Sequence, residues 1–288
     1  MTKPTTPLRQ RMIDDMAIRN MSPLTQAAYI RAVAKFAAHY HKSPDQLTFE
    51  DVRSYQVHLL GRGLKTATII PILCALRFFF GTTLGQKNVA ERIPLPRKED
   101  TLPAVLSRDE VMLFLKAVSE PRMRTIFITI YAAGLRVSEV VALTARDINS
   151  ARMVIHIRQG KGQKDRYVML SEQLLTILRN YWRRARPPEA CLFPGQDHVR
   201  PITARSVQRA CREAVDIARL DKSVTVHTLR HSFATHLLEQ GVDIRVIQDL
   251  LGHRHITSTT RYARVALNTI RQIQSPLELL NIEETEPA

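Results

Sequence analysis

Two prolines decide how this chain can be organised. Pro94 and Pro96 fall in NVAERIPLPRKEDTL, residues 88–102, and each removes a backbone donor and fixes φ, so no helix runs through them. The Arg97-Lys98-Glu99-Asp100 cluster beside them belongs in water, which marks the stretch as a linker. What lies on either side must bury its own apolar surface. The expected division is residues 1–93 as one domain, 94–102 as the linker, 103–280 as a second domain and 281–288 as an acidic tail. With 288 residues, 44% of them hydrophobic, the chain can build both cores.

Before the linker the pattern is helical throughout. A first run covers about residues 8–19, and a second begins with Ser22 as N-cap and Pro23 in the first helical position and continues to Tyr40. After Thr48, the residues Phe49, Val52, Tyr55 and Leu59 recur at helical spacing until Gly61-Arg62-Gly63 stops them. A fourth run, from about residue 65 to residue 83, carries Ile69, Ile72, Leu73, Leu76 and Phe80. These predict a small four-helix unit.

Beyond the linker, Ser107 and Glu110 form a capping-box pattern that opens a helix through Leu115. A helix from about Pro121 ends at Gly134, and a short one carrying Val137, Val140 and Val141 follows. MVIHI (153–157) and RYVML (166–170) are β-branched and apolar around the basic loop RQGKGQKD, so they predict a hairpin. Helices are expected over about residues 171–184, 204–218, 228–239 and 244–250, with a short one near Thr257. The fold class is therefore mainly α with a small β-hairpin.

Charge then narrows the partner. The formal net charge is +15: residues 1–100 hold 15 Lys and Arg against 8 Asp and Glu, and the remainder 27 against 19. Both halves are basic, which suggests two domains that touch one polyanion rather than a neutral body with a basic arm. Cys74, Cys191 and Cys211 are odd in number and widely spaced, so neither a disulfide framework nor a zinc ribbon is indicated. MTKPTTPLRQRMIDD has no apolar run behind its charges, and about 18 consecutive apolar residues occur nowhere. A soluble protein of the cytoplasm, without a membrane partner, is expected.

Chemistry concentrates in VHTLRH, residues 226–231, which admits three readings: a metal site, a phosphate clamp and a wet helix face. His227 and His231 lie one turn apart, but zinc needs three or four converging ligands, and Thr228 stands where a metalloprotease helix would hold its glutamate. His227 and Arg230 share a face near a helix N-terminus, where the dipole and free N–H groups favour an anion. Leu229, Phe233 and Leu237 form the expected buried stripe behind them. Elsewhere, Arg136 opens a helix after Gly134, Lys161 sits between Gly160 and Gly162 in the hairpin loop, His253 follows Gly252, and Tyr262 lies nine residues further on. Taken singly, each of these also reads as an ordinary surface or half-buried residue.

Together they resemble one family. AAGLRVSEVVAL, GKGQKDR, HTLRHSFATHLLEQGVDIRVIQDLLGH and TTRYA, in that order and spacing, closely resemble the tyrosine recombinases, in particular the Xer-type and phage-integrase-like members. The likeness extends to the N-terminal unit, which looks like that family's SAM-like core-binding domain, ahead of a C-terminal catalytic domain. The resemblance implies a site-specific recombinase or integrase in which Tyr262 attacks a DNA phosphodiester and leaves a 3′-phosphotyrosine and a free 5′-hydroxyl. It implies that Arg136 and Arg230 stabilise the transition-state charge, that His253 donates to the phosphate, that Lys161 is the general acid and that His227 helps deprotonate the tyrosine. Glu139 is read either as an acid that orients the site or as a carboxylate in a helix's first turn, His231 as structural support and His255 as a further phosphate contact.

The family pattern needs no cofactor, no metal and no ATP, because bond energy is kept in the covalent intermediate. The departure from many relatives is that Ala263 and Arg264, not Thr-His, follow Tyr262. The implied partners are double-stranded DNA with specific recombination sites, three further copies of the chain in a homotetramer, and accessory proteins. Such an enzyme would associate with the nucleoid and serve chromosomes, phages, plasmids or other mobile elements. Ile270, Ile273, Leu277 and Leu280, broken by Pro276 and followed by EETE, suggest a short helix that docks on a neighbouring copy or packs on its own. Two other readings stand beside recombination: strand relaxation of the type IB topoisomerase kind, and a non-catalytic DNA-binding relative.

Overall fold

The computed structural model describes residues 5–97, 103–158 and 165–252. The chain divides into two compact units, residues 1–101 and 102–288.

The first unit begins with α1 (Pro7–Ile18) and α2 (Pro23–Tyr40), the latter capped by Ser22, whose hydroxyl accepts from the Thr25 N–H. α3 (Phe49–Gly61) opens on a capping box in which Thr48 and Asp51 satisfy each other's backbone donors. α4 (Thr66–Phe78) packs on α2 and runs on through a π-helical turn, Phe79–Thr83. By length and composition Thr66–Thr83, with mean hydropathy 1.5, could cross a membrane, and the count of consecutive apolar residues passes over it because of Arg77 and its threonines. Here Ile69, Leu73, Leu76, Phe79 and Phe80 meet Phe36, Met12 and Met16 in the core of the unit, all but fully buried. It is the central core helix.

The four expected helices are joined by a fifth. α5 (Lys87–Arg92) occupies the start of the stretch read as a linker and packs on α4 and the π-helical turn. Nothing before Pro94 forbids a helix, and Val89, Ala90 and the fully buried Ile93 supply the apolar side that the proline argument ignored.

In the second unit, α6 (Arg108–Ala117) starts on the Ser107–Glu110 capping box, and α7 (Pro121–Ala133) forms the spine. α8 (Val137–Val141) follows after the three residues Gly134, Leu135 and Arg136. The hairpin is part of a three-stranded antiparallel sheet in the order β1 (Ile148–Asn149), β2 (Val154–Ile157), β3 (Arg166–Met169). Two residues are too few to show a period of two, so β1 left no trace in the sequence pattern. α9 (Glu172–Ala185), α10 (Ala204–Ile217), α11 (Val226–Glu239) and α12 (Ile244–Leu251) complete the described part.

α11 starts two residues earlier than its pattern suggested. The hydroxyl of Thr228 accepts from the Thr225 N–H at 3.0 Å, which moves the cap to Thr225 and puts His227 in the first turn. The helix is also buried on more than one face. Besides Leu229 and Phe233 it buries Arg230, Ser232 and His236, while Leu237 is only partly covered. Two of these polar side chains find partners across the unit: Ser232 Oγ accepts from the Leu106 N–H at 2.9 Å, and His236 Nδ1 lies 2.8 Å from the Tyr131 hydroxyl. The helix expected near Thr257 and the apolar series Ile270 to Leu280 lie outside the described residues.

Candidate active site

Two helix ends prepare the site. α7 stops at Gly134, where φ is +63° and an added Cβ would lie 2.5 Å from the Phe233 ring, so the turn and the approach of α11 both require a residue without a side chain. Two residues later Arg136 caps α8, and Glu139 in its first turn reaches back. One Glu139 oxygen, Oε2, accepts the Arg136 backbone N–H at 2.8 Å, and the other, Oε1, accepts from Arg136 Nη1 at 2.6 Å.

Two more arginines come to the same carboxylate. Arg166, the first residue of β3, donates from Nη1 to Oε1 and from Nη2 to Oε2, both at 2.8 Å, in a bidentate fork. Arg230 of α11 is fully buried; its Nη1 donates to the Gly134 carbonyl and stands 3.7 Å from Glu139 Oε2. The wet-face reading of VHTLRH is thereby corrected for Arg230.

The end of α12 completes the frame. The last carbonyls of a helix have no partner within it and carry the negative end of its dipole. Three in succession are taken up by the same three side chains: Leu250 O by Arg166 Nε at 2.9 Å, Leu251 O by Arg230 Nη2, and Gly252 O by Arg136 Nη2 at 3.3 Å. The guanidiniums are held in place and, among the described residues, outnumber the anion they share. Three cations against one carboxylate leave the cluster a formal charge of +2 among the described residues.

The electrostatics follow from that crowding. Burial alone would raise the Glu139 pKa, but hydrogen bonds and charge from Arg166, then the Arg136 N–H and guanidinium, outweigh it and bring it to about 2. His227 lies in the first turn of α11 with its ring edge-on to His231, centroids 4.5 Å apart. The surrounding protein, then Arg230 and Arg136, hold its pKa below the ordinary histidine value although part of the ring faces solvent. At neutral pH the imidazole is therefore uncharged and can accept a proton.

A cavity of about 550 Å³ opens beside Arg136 and His227 and is lined further by Ser138, Gln208, Arg212 and Thr225. A larger hollow of about 820 Å³ is lined by Pro121, Thr125 and Ile128 of α7 with Tyr181 and Arg184 of α9, and none of Arg136, Arg166 and Arg230 lines it. Only the smaller one adjoins the cationic cluster.

Of the residues singled out from the sequence, Arg136, His227 and Arg230 come together around Glu139, with His231 beside His227. Lys161, His253, Tyr262 and His255 lie outside the described residues. The residue that sequence reading missed is Arg166. Its signal was the alternation of RYVML, which puts Arg166 on the same inward side of β3 as the buried Val168, an unusual place for a charge without a partner.

Residues 104–268 match the phage integrase family and residues 8–88 the phage integrase N-terminal SAM-like domain; the chain belongs to this family, the tyrosine recombinases, and is a site-specific recombinase. It is 53% identical over 277 residues to y4qK of Sinorhizobium fredii (strain NBRC 101917 / NGR234), whose name proposes an integrase/recombinase, covering 96% of this chain and 90% of the relative. It is 33% identical to tyrosine recombinase XerA of Pyrococcus furiosus (strain ATCC 43587 / DSM 3638 / JCM 8422 / Vc1) over 96% of each chain. Its fold is shared with XerH site-specific recombinase bound to palindromic difH substrate in a post-cleavage complex, at TM-score 0.73 and 23% identity over 92% of this chain and 83% of that one. It is likewise shared with a lambda integrase dimer bound to a COC′ core site, at TM-score 0.73 and 18% identity over 96% and 98%.

Proposed function

We propose that the arginine cluster receives the scissile phosphodiester of double-stranded DNA and that the Tyr262 oxygen attacks its phosphorus. As the bond from tyrosine to phosphorus forms, the bond from phosphorus to the 5′-oxygen breaks. The phenol proton passes to His227, and Lys161 protonates the departing oxygen. The products are a 3′-phosphotyrosine and a 5′-hydroxyl, and attack by the 5′-hydroxyl of a partner strand reverses the step and rejoins the DNA. His253 donates a further hydrogen bond to the phosphate. The roles of Lys161, His253 and Tyr262 rest on the family resemblance alone.

One observation carries the reading: Arg136 and Arg230 arrive from different helices at one carboxylate and one helix end, and the group keeps an excess of positive charge. Charge on the non-bridging oxygens grows in the pentavalent transition state, so cations fixed in advance stabilise it more than the ground state. Burial and the charges of Arg230 and Arg136 favour the neutral form of His227, the form a proton acceptor must start from.

The substrate is a pair of specific duplex sites, and exchanging two duplexes needs four strand cuts, hence a homotetramer on DNA with two protomers active at a time. The first unit grips the core of the site, accessory proteins complete the assembly, and the enzyme works in the cytoplasm at the nucleoid in the service of a chromosome or a mobile element. The test is single-turnover cleavage of a nicked duplex that carries a site mapped by sequencing the covalent adducts formed on genomic DNA. Arg136→Ala and Arg230→Ala should each slow cleavage by about 10²–10³-fold, as loss of one oxyanion-stabilising donor does elsewhere. Unchanged rates in both would overturn the proposal.

A further inference from the structure

Arg166 has no part in the reaction as described above, yet every nitrogen of its guanidinium is engaged. All three of its terminal nitrogens are placed: two on the two oxygens of Glu139 and one on the Leu250 carbonyl. Its side chain is only 10% exposed. It also fills the space above Gly252, where an added Cβ would lie 3.0–3.3 Å from its outer atoms. Arg166 thus ties together three separate pieces of the molecule: the first turn of α8, the end of α12 from which the chain passes directly to His253, and the base of the hairpin whose connecting loop contains Lys161.

We propose that Arg166 is a positioning residue for strand cleavage, which occupies Glu139 so that Arg136 and Arg230 keep their charge for the DNA phosphate. The inference rests on the reading of those two arginines as the phosphate site. Glu139 has to be present to hold Arg136 at the start of α8, and a lone carboxylate there would compete with the substrate for both arginines. A third guanidinium, matched to the carboxylate by its own fork, weakens that competition while Arg136 Nη1 stays on Oε1 at 2.6 Å. In formal charge the cluster goes from +2 to +1 when Arg166 is lost, rises to +3 when only Glu139 is lost, and returns to +2 when both are. Glu139 stays ionised under all working conditions, its pKa being about 2, so protonation does not relieve the competition.

The experiment is the same single-turnover cleavage of a nicked duplex, run on the full chain with Arg166→Met, Glu139→Gln, the double variant and Arg166→Lys, alongside DNA affinity and thermal stability. Arg166→Met is expected to slow cleavage about 100-fold with DNA affinity changed by no more than about threefold, the pattern of an interaction realised only in the transition state. The double variant should cleave at least about tenfold faster than Arg166→Met, because the formal charge is restored. A side chain that only braced the fold would give the opposite result, with the double variant slower than either single one, and that outcome overturns the proposal. If Arg166→Met does not fold, Arg166→Lys decides: it keeps the charge and loses the fork, so cleavage about tenfold slower supports the proposal and a wild-type rate overturns it. Arg136→Ala separates the two ideas. Normal cleavage there sinks the phosphate reading, whereas its failure beside fully active Arg166 variants sinks only the role of Arg166.

Discussion

Glu139 shows how one side chain can carry several loads. With its side chain 5% exposed and its charge shared among three guanidiniums, it is the only described anion in contact with the cluster. Removing one member of a buried ionic group leaves the others uncompensated, so Glu139→Gln should destabilise the second unit by about 3–5 kcal/mol, measurable by chemical denaturation. The same residue predicts an acid limit. Its folded pKa, about 2, lies below the ordinary 4.5, so its stabilisation is fully present above pH 4.5 and is lost as the pH falls towards 2. Denaturation midpoints compared at pH 5 and pH 3 should therefore fall in the wild type by more than in Glu139→Gln; an equal fall in both would show that the carboxylate is not held as described. Sequence spacing could pair Glu139 with Arg136, three residues away. It could not reveal that Arg166, 27 residues on, takes both its oxygens, because a strand's first residue gives no hint of what stands across from it.

Most elements were legible because their signals are local. Ser22 accepts from the Thr25 N–H behind Pro23, and Ser107 and Glu110 satisfy each other's backbone donors, so each signal lies within four residues and the structure starts helices at both. The exceptions have non-local causes. α11 reads as amphipathic, yet it buries Arg230, Ser232 and His236, whose partners at Gly134, Leu106 and Tyr131 are about a hundred residues away. The turn between α7 and α8 belongs to the same scale. Gly134→Ala combines a left-handed backbone with a clash against Phe233, so it should cost about 1–3 kcal/mol and shift α11 against α7. A thermal midpoint within a degree of wild type would contradict that packing.

At the scale of the whole molecule, both halves of the chain are basic and each matches a domain of the integrase family. The apolar residues Ile270, Ile273, Leu277 and Leu280 suit either a neighbouring copy or their own chain, and the first alternative makes a prediction. Deleting residues 266–288 should leave the thermal unfolding of the remaining chain close to wild type while weakening assembly into tetramers on paired sites, read by gel mobility and light scattering. Assembly at full strength would remove the docking role. What the sequence could not yield is the DNA target, since phosphate contacts and base contacts draw on the same arginines.

In the proposed reaction a tyrosine oxygen displaces a DNA sugar oxygen at phosphorus while fixed guanidiniums stabilise the charge. The direct measurement is to trap the full chain on the nicked duplex and identify the modified peptide by mass spectrometry. The account predicts a 3′-phosphodiester on Tyr262 and no adduct with Tyr262→Phe. An adduct that forms undiminished in Tyr262→Phe, or one mapped to another side chain, would contradict it.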